Sequence, residues 1–256
     1  MISGLYAAMN GMTSQLMRQE IITYNLANSG VTGFKKEDVV FRSFPDIQLD
    51  LASMNDFDGL GHPVIPRVSK LGTGAGIDWI YTDFSQGQLA KTDDVLNISI
   101  VGEGFFNVQT SKGVRYTRNG DFYLSNDGTL TTSNGDPVLG ENGQIKLRGI
   151  NFTVAADGTV AQDGTVIDRI KISTIDDPNL FAKEGESYFR LPSGLEDHIK
   201  DVIGNLAQGY REKANYSVPE QMVTLIDTFR TYEANQKMIQ ASDSTLDRAV
   251  NDVGRV

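Results

Sequence analysis

Two histidines, an absence of cysteine and a few acidic pairs are where reactive chemistry would first be sought in this chain of 256 residues. A metal centre or a nucleophile–base–acid triad needs several such side chains converging on one point, and His62 and His198 stand far apart. Without cysteine there are no disulfides, thiolate metal sites or thiol nucleophiles, and the redox state of the compartment leaves no mark. Asp127-Gly128, Asp157-Gly158 and Asp163-Gly164 invite a calcium reading. A calcium loop, however, wants acidic ligands at alternating positions and a Glu at the twelfth, which these stretches lack. Gly72-Thr73-Gly74-Ala75-Gly76 fits neither the dinucleotide fingerprint nor the phosphate-cradling loop and reads as a bend. Asp93-Asp94 and Asp176-Asp177 adjoin predicted turns and are expected to be solvated; acid/base work on a sugar would need two carboxyls held across a cleft. No enzymatic role, catalytic residue, cofactor or metal is expected.

The elements around these residues are more informative. Met222, Leu225, Phe229, Tyr232, Gln236, Ile239, Asp243, Leu246, Val250 and Val253 recur at alternating steps of three and four. That is a heptad seam, which another helix must bury. A helix from Val218 to Asp252 would reach roughly 50 Å at 1.5 Å per residue, too long to fold back into a small core. Ser217 followed by Glu220 forms a capping box, with Pro219 in the first turn. Gln236 and Asp243 interrupt the seam; they either restrict which partners and registers are accepted or sit solvated on a bent helix. At the other end Leu5, Met9, Met12 and Leu16 repeat the same steps, Ile22 and Leu26 resume the face, and Gly30 and Gly33 supply a stop. Pairing the two terminal helices into one coiled-coil layer is the economical arrangement, and leaving about a dozen seam residues in water, at roughly 1.5 to 3 kcal/mol each, would be costly.

Net charge is -10, from 23 basic and 33 acidic residues. This argues against nucleic acid as a partner, because phosphate neutralisation needs clustered Lys and Arg and Lys35-Lys36 is only a short pair. No run approaches eighteen apolar residues, and the first twenty lack a basic n-region before an apolar h-region, so neither a membrane span nor an ordinary secretory signal is expected.

The middle has a different texture. Short β-branched and aromatic runs (Leu96 to Ile100, Phe105 to Val108, Val114 to Tyr116, Phe152 to Val154, Ile167 to Ile172) alternate with the Asp-Gly pairs above and with Asn119-Gly120, Asn134-Gly135 and Asn142-Gly143. Each pair suits a turn with positive φ, and hairpins follow. The fold class is α+β: a terminal helical coiled-coil domain from 1–34 and 217–256, an extended connector over 35–70 carrying Pro45, Pro63 and Pro66, and an inserted, mainly antiparallel β-rich domain over 71–216.

Asn25-Leu26-Ala27-Asn28 and Thr32-Gly33-Phe34-Lys35 resemble the N-terminal signature of the bacterial flagellar rod, hook and hook-associated axial proteins. Arg230, Tyr232, Glu233, Asn235, Lys237, Asp243 and Leu246 are similar to that family's C-terminal helix signature, with Asn215-Tyr216-Ser217 in place of the usual Ser-Asn-Val entry. Gly102-Glu103-Gly104-Phe105-Phe106 and Tyr116-Thr117-Arg118-Asn119-Gly120 resemble the family's β domain. Length, and the segment from Pro137 to Gly143 leading to Thr153 through Gly158, favour the proximal-rod type over the distal-rod type; a hook protein would need a further β domain.

The resemblance implies a structural axial subunit of the basal-body rod that polymerises through its terminal helices into a torque-transmitting shaft. Its partners would be other rod and hook-basal body subunits and further copies of itself. It would reach the periplasmic space through the flagellar export apparatus, without a conventional signal peptide. On this reading Leu5, Met9, Met12, Leu16, Leu26, Met222, Leu225, Phe229, Tyr232, Ile239, Leu246 and Val250 form the assembly interface, and Asn25, Asn28, Gly33 and Phe34 end the first helix and turn the chain outward. Two rivals stand beside it: a secreted carbohydrate-binding β domain with oligomerising helices, against which Trp79 beside Ile77 and Ile80 looks like core rather than a stacking platform, and an envelope hydrolase with two apposed carboxylates.

Overall fold

The computed structural model describes residues 2–43, 47–50, 68–71 and 74–253. Most of the expected connector, with Pro45, Pro63, Pro66 and His62, therefore lies outside the described residues, as do Gly72 and Thr73. The ends are helical and the middle is mostly antiparallel β structure, an α+β chain.

Helix α1 runs Ile2–Ala27 and α2 Val218–Arg248. Pro219 is the second residue of α2, where a missing N–H has no intrahelical partner to lose. At its far end α2 passes into a π turn, Ala249–Val253, so the regular helix stops short of the expected Asp252. Neither helix is long and apolar enough to cross a membrane.

The chain divides into two compact units. One gathers Met1–Thr23, Asp38–Tyr81 and Gln221–Val256. In it Gly11 meets Asn235 across the helices: a β-carbon on Gly11 would lie 3.0 Å from Asn235 Nδ2, so a larger residue would need the Asn235 side chain to shift. Strand Glu37–Ser43 pairs with Ala75–Thr82, so Ala75 and Gly76 are strand residues and not part of a bend. Trp79 on this ribbon is 60% exposed, contrary to its expected core position; Ile80 and Tyr81 beside it are exposed as well, so this end of the two-stranded ribbon meets solvent on both faces. The strands Ile47–Asp50 and Val68–Leu71 form a second antiparallel pair.

The other unit comprises Tyr24–Glu37 and Thr82–Glu220. Its largest sheet has six strands in the spatial order Ala182–Glu184, Tyr188–Arg190, Gly113–Thr117, Phe105–Thr110, Ile172–Ile175 and Ile199–Val202, every neighbour antiparallel. Alternation along Phe105–Thr110 feeds two cores. Phe106 joins Ile98, Ile100, Phe122, Leu130, Val138, Ile145 and Val160, all essentially closed to water. Phe105 faces the other way into a ring cluster with Phe84, Phe181 and Phe189, whose centroids lie 5.0–6.3 Å apart. A strand with both faces buried needs no polar alternation, which is why Phe105 and Phe106 stand side by side in sequence.

The Gly-containing turns divide by geometry. Asp163 (φ 52) and Gly164 (φ 78) form the two-residue loop between Thr159–Gln162 and Thr165–Arg169, with Gln162 opposite Thr165. Gly128, Gly135, Gly143 and Gly158 also have positive φ. Asn119-Gly120 is different: Gly120 is not in the left-handed region and is required by close approach, since a β-carbon would fall 1.6 Å from the Ile98 carbonyl oxygen. The expected strand from Ile167 to Ile172 is interrupted. Thr165–Arg169 belongs to a three-stranded meander and Ile172–Ile175 to the six-stranded sheet; between them Ile170 bridges Gly140 and the Lys171 N–H reaches the Leu139 carbonyl.

Candidate functional site

The segment where the chain leaves α1 is buried and polar, a combination that requires every group to be matched. Asn25, 1% exposed, spends its amide on the backbone of Glu37: Nδ2 donates to the Glu37 carbonyl at 2.8 Å, and Oδ1 accepts from the Glu37 N–H at 3.0 Å. It thus clips the returning chain instead of capping the helix, while Asn28 takes the capping role expected of both, its Nδ2 donating to the Tyr24 carbonyl. The Asn25 carbonyl accepts from the Tyr216 hydroxyl, and burial pushes that phenol up to about 12.

Gly33 follows with φ +67, its N–H donating to the Glu212 carbonyl at 2.7 Å. The backbone is so close here that a β-carbon would sit 2.3 Å from the Arg118 carbonyl oxygen. Phe34 is wholly enclosed, ringed by Tyr24 and Tyr216, with the Lys183 ammonium 4.2 Å from its ring centre.

Lys35 then plunges into the β unit. Its ammonium donates to Glu212 Oε1 at 2.6 Å and to the Ser85 carbonyl at 2.7 Å, with both charged side chains closed to solvent. Glu212 Oε1 also accepts from the Gly87 N–H, and Oε2 lies 3.7 Å from Arg118 Nη1. Arg118 in turn stacks over the Phe105 ring at 5.2 Å. Burial pushes the Lys35 ammonium and the Arg118 guanidinium below their usual ranges, and the Glu212 carboxylate opposes the shift in both. Asn215 completes the junction by accepting from the Lys36 N–H and donating to the Asp83 carbonyl. Lys35 and Arg118 thus share the one Glu212 carboxylate, and Arg118 Nε and Nη1 and Glu212 Oε2 are buried without a hydrogen-bond partner; charges locked in place by one another suit positioning rather than turnover.

Of the expected junction residues, Asn25, Asn28, Gly33 and Phe34 do converge in one buried place. Glu212, Arg118, Asn215 and Tyr216 complete it and were not singled out as site residues. Arg118 inside Tyr116–Gly120 and Asn215-Tyr216 at the entry to α2 are marked in the sequence only by their motifs, and Glu212 is marked by none.

The expected assembly residues fall into two groups. Leu5, Met12, Leu26, Leu225, Tyr232, Ile239 and Leu246 are half-buried. Met9, Leu16, Met222, Phe229 and Val250 are exposed. Val223 and Ile226, outside the seam, are exposed beside Met222 and Phe229, so the water-facing stripe on the first half of α2 is broader than the heptad pattern. Along α1 a groove of about 460 Å³ is walled by Met17, Trp79 and Ile80 among others. The pairs Asp93-Asp94 and Asp176-Asp177 are solvent-exposed.

Three family models match this chain in order: flagella basal body rod protein over residues 5–35, flagellar hook protein FlgE/F/G D1 domain over 99–167, and flagellar basal body rod FlgEFG protein C-terminal over 207–252. Among curated relatives, the flagellar basal-body rod protein FlgF of Caulobacter vibrioides is 31% identical over the full length of both chains. FlgG of Buchnera aphidicola is 31% identical over 97% of this chain and 98% of its own. The flagellar hook-basal body complex protein FlhO of Bacillus subtilis is 29% identical over the whole of both. With matched segments covering most of α1 and its exit, part of the β unit and α2, and with relatives alike over their full length, this chain belongs to the flagellar basal-body rod protein family, whose members are structural and not enzymatic.

Proposed function

We propose that this rod subunit belongs to the proximal rod and joins the drive shaft through α1 and α2, so that motor torque passes along interlocked helices. The observation that carries the reading is the apolar stripe of Met222, Val223, Ile226 and Phe229, which none of the described residues covers fully; Phe229 is 47% exposed. Burial against a neighbour would gain up to roughly 1.5–3 kcal/mol for each such side chain, less what is already covered.

Residues 1–34 and 217–256 then form the coiled-coil layer shared with neighbouring subunits, 71–216 the outer β domain, and 35–70 the connector. The partners are other rod and hook-basal body subunits and further copies of the chain, delivered to the periplasmic space by the flagellar export apparatus. A distal-rod position is the second reading, favoured by the full-length likeness to FlgG proteins. Phe229→Asp and Ile239→Asp test the assembly role: both should abolish incorporation into basal bodies and swimming while leaving the β unit folded. Normal assembly of both variants would remove the proposal.

A further inference from the structure

Methionine is distributed unevenly along the chain. The seven are Met1, Met9, Met12, Met17, Met54, Met222 and Met238, so none lies between residues 82 and 220, where the β unit is built. Among the described side chains Met12 is half-buried, and the other four are open to solvent: Met9 46%, Met17 42%, Met222 52% and Met238 61%. All four stand on α1 or α2 within the same unit. Met222 adjoins Val223 in the exposed stripe that also holds Ile226 and Phe229, and Met17 walls the groove beside Trp79.

An exposed thioether has two properties. Unbranched and polarisable, it adapts to differently shaped neighbours. It is also an oxygen acceptor, and the sulfoxide is polar and chiral where the thioether was apolar. We infer that Met9, Met17, Met222 and Met238 are a modification site for two-electron oxidants of the peroxide class, and that their oxidation disables the helical assembly face. This rests on the assembly reading of α1 and α2. In the step the sulfur lone pair attacks one peroxide oxygen, the O–O bond breaks as the S–O bond forms, and water leaves. Sulfur is oxidised, peroxide is reduced, and the methionine sulfoxide reductases reverse the change at the cost of two thiols. A sulfoxide oxygen carried into a dry helix–helix contact loses its water without a partner. The β unit, without methionine, is untouched by the same reagent at these groups.

The test uses the full chain, alone and mixed with a sister rod subunit, before and after treatment with hydrogen peroxide, with sulfoxides located by peptide mass spectrometry. Sedimentable assembly should fall about tenfold or more on oxidation, the equilibrium equivalent of one unpaired buried polar group, and return after reductase treatment. The variant combining Met9→Leu, Met17→Leu, Met222→Leu and Met238→Leu should sediment equally with and without peroxide. Undiminished sedimentation of confirmed sulfoxide protein would overturn the inference, as would equal peroxide loss in the Leu variant. Failure of untreated protein to sediment in either mixture is a separate result, which would remove the assembly reading and this inference with it.

Discussion

The Lys35 ammonium meets Glu212 Oε1 at 2.6 Å with both side chains sealed from water, so the segment leaving α1 is fastened to the strand Tyr210–Glu212 that leads towards α2. The two residues are 177 positions apart. Each falls in a stretch matched by a different rod-family model, the N-terminal one for Lys35 and the C-terminal one for Glu212. The terminal signatures are therefore not only helix faces; they also build the buried joint through which both chain ends leave the β unit.

Glu212→Ala should destabilise the β unit by about 3–5 kcal/mol, because it strands the Lys35 and Arg118 charges in a dry interior. Asp176→Ala, which breaks the solvent-exposed pair with Lys200, should cost no more than about 1 kcal/mol. Urea unfolding followed by tyrosine fluorescence compares the two. Equal effects would show that the Lys35–Glu212 pair is not shielded.

Gly33→Ala should cost about 2–4 kcal/mol, from a left-handed φ combined with a β-carbon driven into the Arg118 carbonyl. Asn25→Ala should cost about 1–3 kcal/mol through the two lost bonds to Glu37. Gly30→Ala, where no atom lies within 4 Å of the added carbon and φ is not positive, should be nearly silent. Thermal unfolding of the three variants gives the order directly.

Acid should weaken the β unit. Hydrogen bonds from the Thr129 N–H and hydroxyl hold the Asp127 carboxyl below its ordinary value of 3.8, those from Thr159 do the same for Asp157, and Lys112 and Arg115 hold Glu184 below 4.5. Each carboxyl has its lowered pKa only when folded, so between the two values the unfolded chain binds more protons. The stabilisation is complete above the unfolded values and is lost as pH falls through the folded ones. Melting temperature should therefore drop from about pH 5 downwards, and more shallowly in a chain carrying Asp127→Asn and Asp157→Asn.

The helices were legible because their positions repeat locally: Leu5 to Leu16 and Met222 to Val250 each write the 3.6-residue period into one stretch of chain. The turn at Asp163-Gly164 was legible for a similar reason, since two adjacent residues carry the whole backbone demand. What could not be read were relations between distant residues. Nothing near Lys35 announces Glu212, and nothing near Gly120 announces the Ile98 carbonyl that excludes a side chain. Trp79 misled because apolar neighbours in sequence suggest a core, whereas an edge ribbon can present them to solvent. Ile167 to Ile172 read as one strand because three isoleucines interleaved with charged residues resemble a single half-buried strand and hide the break at Ile170 and Lys171.

The chain's lack of cysteine permits a direct test of whether the exposed face of α2 is an intersubunit contact. Phe229→Cys and, on the exposed edge of the β unit, Val166→Cys would each be exposed to a maleimide in the isolated protein and in purified basal bodies. Burial in the assembled rod predicts that position 229 reacts readily in the free chain and at least about tenfold more slowly in the basal body. Equal labelling of position 229 in both states would contradict assembly through the terminal helices.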